Sequence, residues 1–183
     1  IRDRDSWVAY YDYIVFKYFK ILRYGIYSIE MKILDESKAI RIKIMDFLSR
    51  REHSSKEIYQ KMSRRVESKD MLAEEINRLI SDGLISDERF AESYLQSRKN
   101  RGFGPLRIRN ELAQRGVKES IFYFIQSEID WSEYAFNALE KKTNGKKPDD
   151  MKAILKLKNF LNYRGFEFQD IDKAFSMLDE ENR

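Results

Sequence analysis

Apolar residues recur three and four positions apart over long stretches of the chain, as in Ile40, Ile44, Phe47 and Leu48 and again in Leu72, Ile76, Leu79 and Ile80. That spacing gathers them on one face of an α-helix and leaves the polar residues between them to water. With only seven glycines and two prolines to interrupt the pattern, the chain reads as all-α. Its interruptions fall where helices end: Gly83 after NRLISD, Gly116 after NELAQR and Gly145 after EKKTN can each take the left-handed conformation that closes a helix. Asp87, Ser120 and Asp130 are the expected N-caps of the helices that follow, and Pro105 is expected in a first helical turn.

A repeat emerges when the basic turns are aligned. REHSSKEI from Arg51, RGFGPLRI from Arg101 and RGFEFQDI from Arg164 each hold an Arg and an Ile seven residues apart, and each Ile (58, 108, 171) is followed four residues later by an apolar residue, Met62, Leu112 or Phe175. One helix precedes each turn and, in the first two copies, a clear helix follows it, so the unit is about three short helices with the turn between the first and second. Such a unit is too small to bury a good core alone, and neighbouring copies are expected to share buried faces in an elongated array of three tandem three-helix repeats. The expected division is an N-terminal extension over residues 1–37, then repeats over 38–86, 87–129 and 130–183. The copies are unequally spaced, with 50 residues from Arg51 to Arg101 and 63 from Arg101 to Arg164, and the polar run KKTNGKKPDD (141–150) is the expected insertion in the third.

Residues 1–30 do not fit the repeat. They hold nine aromatic residues, and their Tyr, Ile, Val and Phe content favours strand as much as helix. MKILDESKAIRIKIMDFL opens like a native N-terminus, so Met31 is one expected start of translation; the alternative is a packing arm or a membrane-surface segment.

Composition narrows the function classes. The chain is 42% hydrophobic, ample for a folded core, and its net charge of +4 permits a polyanionic partner without requiring one. The absence of cysteine removes disulfides and thiolate chemistry and suits a reducing cytoplasm. No apolar run approaches the length of a bilayer span and no secretion signal opens the chain, so a soluble protein without membrane contact is expected. Catalytic groups are scarce. His53, the sole histidine, sits at a turn where capping or solvation is its expected role. Asp149 and Asp150 ahead of Lys152 are only a faint match to a nuclease site, and RGFGP lacks the Gly-Lys-Ser/Thr ending of a phosphate loop. A protein that is not an enzyme and carries no cofactor or metal is the expectation.

Charge, by contrast, is segregated. From Arg98 to Lys118 seven basic residues, Arg98, Lys99, Arg101, Arg107, Arg109, Arg115 and Lys118, surround one acid, Glu111, whereas from Glu67 to Ser93 eight acids face three bases. Lys152, Lys156, Lys158 and Arg164 repeat the excess between residues 151 and 164, where there is no acid. Like charges repel unless a partner neutralises them, and their recurrence at the turns suggests a binding surface made of Arg98, Lys99, Arg101, Arg107, Arg109, Arg115, Lys156, Lys158 and Arg164. Guanidinium forks suit phosphates and carboxylates equally, so nucleic acid and an acidic protein face both remain open. A spread over several turns favours tracking a long polymer over reading one short site.

The runs SRREHSSKEIYQKM, ISDGLISDERFAESYLQSRKNRGFGPLRIRNELAQRGV, DWSEYAFNALEKK and KNFLNYRGFEFQDI resemble the RecX family of bacterial regulators of the recombinase RecA, over roughly residues 35–178. The resemblance implies three tandem three-helix repeats in a curved, elongated molecule. It further implies a protein that lodges in the groove of the RecA filament on single-stranded DNA, blocks filament growth, and suppresses ATP hydrolysis, strand exchange and the SOS response; a monomer is expected. On that reading the arginines of RGFGPLRIRNELAQRG point toward the filament or its DNA, while Pro105, Ile108 and Leu112 set the helical hairpin beneath them. An autonomous DNA-binding helical module, on single- or double-stranded DNA, is the alternative.

Overall fold

The computed structural model describes residues 37–181 apart from 147 and 149, all within one compact unit spanning Ile33–Arg183. The expectations for residues 1–30 and Met31 lie outside the described residues, as does half of the Asp149/Asp150 pair. The elements described are nine α-helices: α1 Ser37–Leu48, α2 Ser55–Met62, α3 Lys69–Ser81, α4 Asp87–Asn100, α5 Pro105–Gln114, α6 Glu119–Gln126, α7 Trp131–Thr143, α8 Met151–Arg164 and α9 Phe168–Glu181. Among the described residues no helix is long and apolar enough to cross a membrane.

The helices pack in threes, and the sequence signals explain most of their ends. Gly83, Gly116 and Gly145 all have the positive φ expected of them, and Pro105 opens α5. Asp130 caps α7, its carboxylate accepting from the Ser132 N–H at 3.0 Å. The other two expected caps are displaced. Ser86, not Asp87, caps α4 by accepting from the Arg89 N–H, because the Asp87 carboxylate is taken by the Ser55 N–H at 2.8 Å and the Ser55 hydroxyl at 3.1 Å. α6 starts after Lys118, without a side-chain cap, so Ser120 lies inside its first turn.

Two cores lie beneath this surface. Ile40 and Ile44 of α1, Ile58 and Met62 of α2, and Leu72, Ile76 and Leu79 of α3 close one with Ile85. The second runs without a break through α4–α9, joining Phe90, Leu95, Ile108, Leu112 and Phe122 to Trp131, Leu139, Leu161, Phe166 and Ile171. Shared burial between neighbouring units therefore holds for the last two only. The first is joined to the second by polar contacts: Ser55 to Asp87, Arg89 to Glu52 at 3.0 Å, Arg115 to Glu57 at 3.4 Å, and the Ser54 hydroxyl to the Arg115 carbonyl at 2.7 Å.

The repeat itself is real, but its third copy is in a different register. REHSSKEI and RGFGPLRI both connect a first helix to a second, and Ile58 and Ile108 are both fully buried. RGFEFQDI connects the second helix of its trio, α8, to the third, α9. Its counterpart is the segment after α5: NELAQRGV (110–117) and NFLNYRGF (159–166) share Asn, Leu, Arg and Gly at matching positions, with Leu112 and Leu161 both buried. The two kinds of turn dock on each other. The Gly104 N–H donates to the Arg164 carbonyl at 2.9 Å and the Leu106 N–H to the Gly165 carbonyl at 3.0 Å, repeating the contact of Ser54 with Arg115 one unit earlier. Where residue 104 is glycine the backbones meet directly, since a Cβ there would lie 2.4 Å from the backbone of Gly165 and Phe166; at Ser54 a hydroxyl spans the gap instead. Identical Arg-Gly steps in RGFGPLRI and RGFEFQDI therefore mark the two sides of a joint.

Candidate binding site at the cationic turns

Glu111 organises the basic segment. It projects from α5 beneath the end of α4, its side chain only 16% exposed, and takes Arg98 Nε at 2.6 Å, a second hydrogen bond from Arg98 Nη2, Arg107 Nε at 3.1 Å and the Tyr94 hydroxyl at 2.9 Å. Burial alone would raise its carboxyl, but the hydrogen bonds from Arg98, Tyr94 and Arg107 outweigh it and hold the group down at about 2. The same burial, with the bond to Glu111, raises the Tyr94 phenol. Phe103 packs between the guanidinium groups of Arg98, 4.3 Å from its ring centre, and Arg107, at 4.5 Å, adding cation–π attraction to the ion pairs.

Five of the nine sequence-predicted cations consequently have internal partners that fix their direction. Arg98 and Arg107 belong to Glu111. Arg115 donates to the Glu111 carbonyl at 2.7 Å, pairs with Glu57 across the first joint and lies 4.6 Å from the Tyr94 ring. Arg164 donates through Nη1 to the carbonyls of Arg101 and Gly102, at 2.9 and 3.0 Å, and so satisfies the open C-terminal end of α4. Lys158 pairs with Asp172 at 2.7 Å. The expectation of arginines left without internal partners fails at these positions, because a single carboxylate can serve two arginines and helix-end carbonyls serve others. Arg109 is intermediate: it reaches the Tyr123 hydroxyl at 3.0 Å and Glu119 at 3.6 Å on the surface. Lys99, the exposed Arg101 and the exposed Lys156 have no carboxylate partner among the described residues; Lys99 rests 5.0 Å from the Tyr134 ring.

In the sequence Glu111 stands as a lone offset to seven cations, and its i−4 and i+4 arginines, Arg107 and Arg115, are the local signal of its pairing. His53 is likewise corrected from a solvated or capping turn residue to a core one. Only 3% exposed, it occupies the place of Phe103 in the second turn, with Nδ1 3.0 Å from the Arg51 carbonyl and Nε2 2.8 Å from Lys61 Nζ. The Nδ1–H tautomer satisfies both contacts. Burial lowers its pKa and also that of Lys61. Among the described residues no group of three or more His, Cys, Asp or Glu side chains could hold a metal ion.

Paired turns, a core continuous across the last two trios and several cations with no carboxylate partner among the described residues define a tandem helical-repeat protein. Residues 86–121 match the family model for the second three-helix domain of RecX, and residues 128–175 that for the third. The Regulatory protein RecX of Pseudomonas putida (strain GB-1) is 37% identical over 149 residues, 80% of this chain and 96% of that protein. That of Pseudomonas fluorescens is 36% identical over 146 residues, 79% and 94% of the two chains. The crystal structure of RecX from Lactobacillus salivarius superimposes with a TM-score of 0.69 at 27% identity, covering 79% of this chain and 97% of that one. The chain belongs to the RecX family of regulatory proteins.

Proposed function

We propose that this chain is a negative regulator of RecA, acting as a cytoplasmic monomer that lodges in the groove of RecA filaments on single-stranded DNA and restrains their growth, ATP hydrolysis and strand exchange. Membership of the RecX family carries this reading. The doubled joint supports it: two successive docked turns hold three units, taken as 38–86, 87–129 and 130–183, in fixed succession, and several weak contacts on such a row combine into high avidity on a repeating polymer. Contact falls to Lys99, Arg101, Arg109 and Lys156, whose charges are least neutralised internally. Arg98, Arg107, Arg115, Lys158 and Arg164 set the shape of the surface.

Co-sedimentation with RecA filaments on single-stranded DNA, run beside bare DNA and followed by the RecA ATPase, tests the proposal. The chain should pellet with filaments and suppress hydrolysis, and R101A/K156A should need roughly a hundredfold more protein for the same suppression, given two charge-assisted contacts of about 1.5 kcal/mol each. Failure of the wild-type chain to pellet with filaments would sink it.

A further inference from the structure

The two joints are made of different contacts. Across the second, backbone meets backbone: the Gly104 and Leu106 N–H groups donate to carbonyls of the facing turn at 2.9 and 3.0 Å, and a Cβ on Gly165 would lie 2.5 Å from the Arg107 backbone nitrogen. Beneath it the apolar core passes from α4–α6 into α7–α9 without interruption. Across the first joint, among the described residues, every hydrogen bond and ion pair involves at least one side chain. Gly116, the glycine that comes close there, meets the flexible stem of Lys56. The Arg89–Glu52 tie is open to water, its side chains 45% and 33% exposed. The cores on either side of this joint are separate, and one peptide bond marks the boundary: Ile85 is buried in the first core, whereas Ser86 caps α4, whose Phe90 belongs to the second.

We infer that the first trio swings as a rigid body about the Ile85–Ser86 step, while the second and third trios move as one. A close-packed core resists sliding, because any displacement opens voids and forfeits contacts throughout it. Side-chain ties between solvent-exposed partners hold far less firmly, since water replaces each partner at little cost. The swing needs only the contacts of Ser54 with Arg115, Ser55 with Asp87, Arg89 with Glu52 and Arg115 with Glu57 to part. It leaves both cores intact and concentrates the backbone change in a few dihedrals of the α3–α4 connection, as in other hinged proteins. The described residues thus form a one-trio arm on a two-trio body, and the angle between them adjusts to the surface the protein meets.

The chain has no cysteine, so pairs of nitroxide labels can be placed on the full-length protein and their separation read by double electron–electron resonance. Q60C/Q96C spans the first joint and Q96C/K173C the second; Q96C/S120C lies within the second trio and gives the width due to the labels alone, all four positions being exposed and helical. The 60–96 distance distribution should be roughly twice as wide as the other two. Raising NaCl to about 1 M, where charges are screened beyond about 3 Å, should widen it further and leave 96–173 unchanged, because salt weakens ion pairs but not an apolar core. R89A removes one tie without touching either core and should act in the same direction at low salt. A 60–96 distribution as narrow as that of 96–120 and indifferent to both salt and R89A would overturn the hinge, and so would equal broadening across the two joints.

Discussion

Replacing Glu111 by Gln removes the charge that two arginines share while keeping the size of the side chain. The carboxyl titrates at about 2 instead of 4.5, and at about 1.4 kcal/mol per pKa unit that depression is worth roughly 3 kcal/mol of stability at neutral pH. Gln also turns an N–H donor toward the N–H groups of Arg98 and Arg107 or the Tyr94 hydroxyl, leaving mostly buried donors unmatched. Residual solvent access to Arg107, whose side chain is 33% exposed, screens part of this, so a net loss of about 2–3 kcal/mol is expected. In a chain of this size it lowers the melting temperature by roughly 5–10 °C. Far-UV circular dichroism during urea unfolding at pH 7 measures it. The sign follows from the depressed pKa: the stabilisation is present above pH 4.5 and is lost as pH falls toward 2, so the gap between wild type and E111Q must close over that interval. A gap below about 0.5 kcal/mol at pH 7, or one that persists unchanged at pH 2.5, would refute the role given to Glu111.

G104A, whose Cβ would sit 2.4 Å from backbone atoms of the facing turn, should cost about 2–3 kcal/mol by forcing the second joint apart. G83A, with nothing within 4 Å, should cost about 1 kcal/mol from its left-handed backbone alone, and urea midpoints for the pair test whether close approach explains Gly104. His53 has a folded pKa below its ordinary 6.5, so the unfolded chain binds the extra proton first and stability should fall as pH drops below 6.5 toward the folded value. H53F, which gives the turn after α1 the aromatic that Phe103 gives the turn after α4, should flatten that dependence; a wild-type melting temperature that does not change between pH 7.5 and 5.5 would contradict the burial of His53.

Apolar periodicity exposed the helices because it records which face each must bury: Ile40 and Ile44, Leu72, Ile76 and Leu79 all reach the first core. The Arg-to-Ile spacing likewise found Ile58, Ile108 and Ile171, each at 1% exposure or less. What the pattern could not resolve was register, since Arg-Gly-Phe serves a first turn at 101–103 and a second turn at 164–166. That distinction lies in Arg164 meeting Gly102, 62 residues away, a pairing with no local trace. The candidate site was legible as an excess of charge but not as a division of labour. One carboxylate gathers arginines from α4 and α5, and a helix-end carbonyl binds a guanidinium as readily as an acid does.

Each joint takes one turn from a unit and a different turn from the next, so the middle unit carries both halves of the same connector, one toward each neighbour. A chain built this way can lengthen or shorten by whole units through duplication or deletion within its coding sequence, with no new interface to invent. It also separates two kinds of tolerance to substitution. Replacements on the outer helix faces touch one unit, whereas a change at Gly104 or Gly165, where the opposing backbone leaves no room for a Cβ, is felt by two units at once.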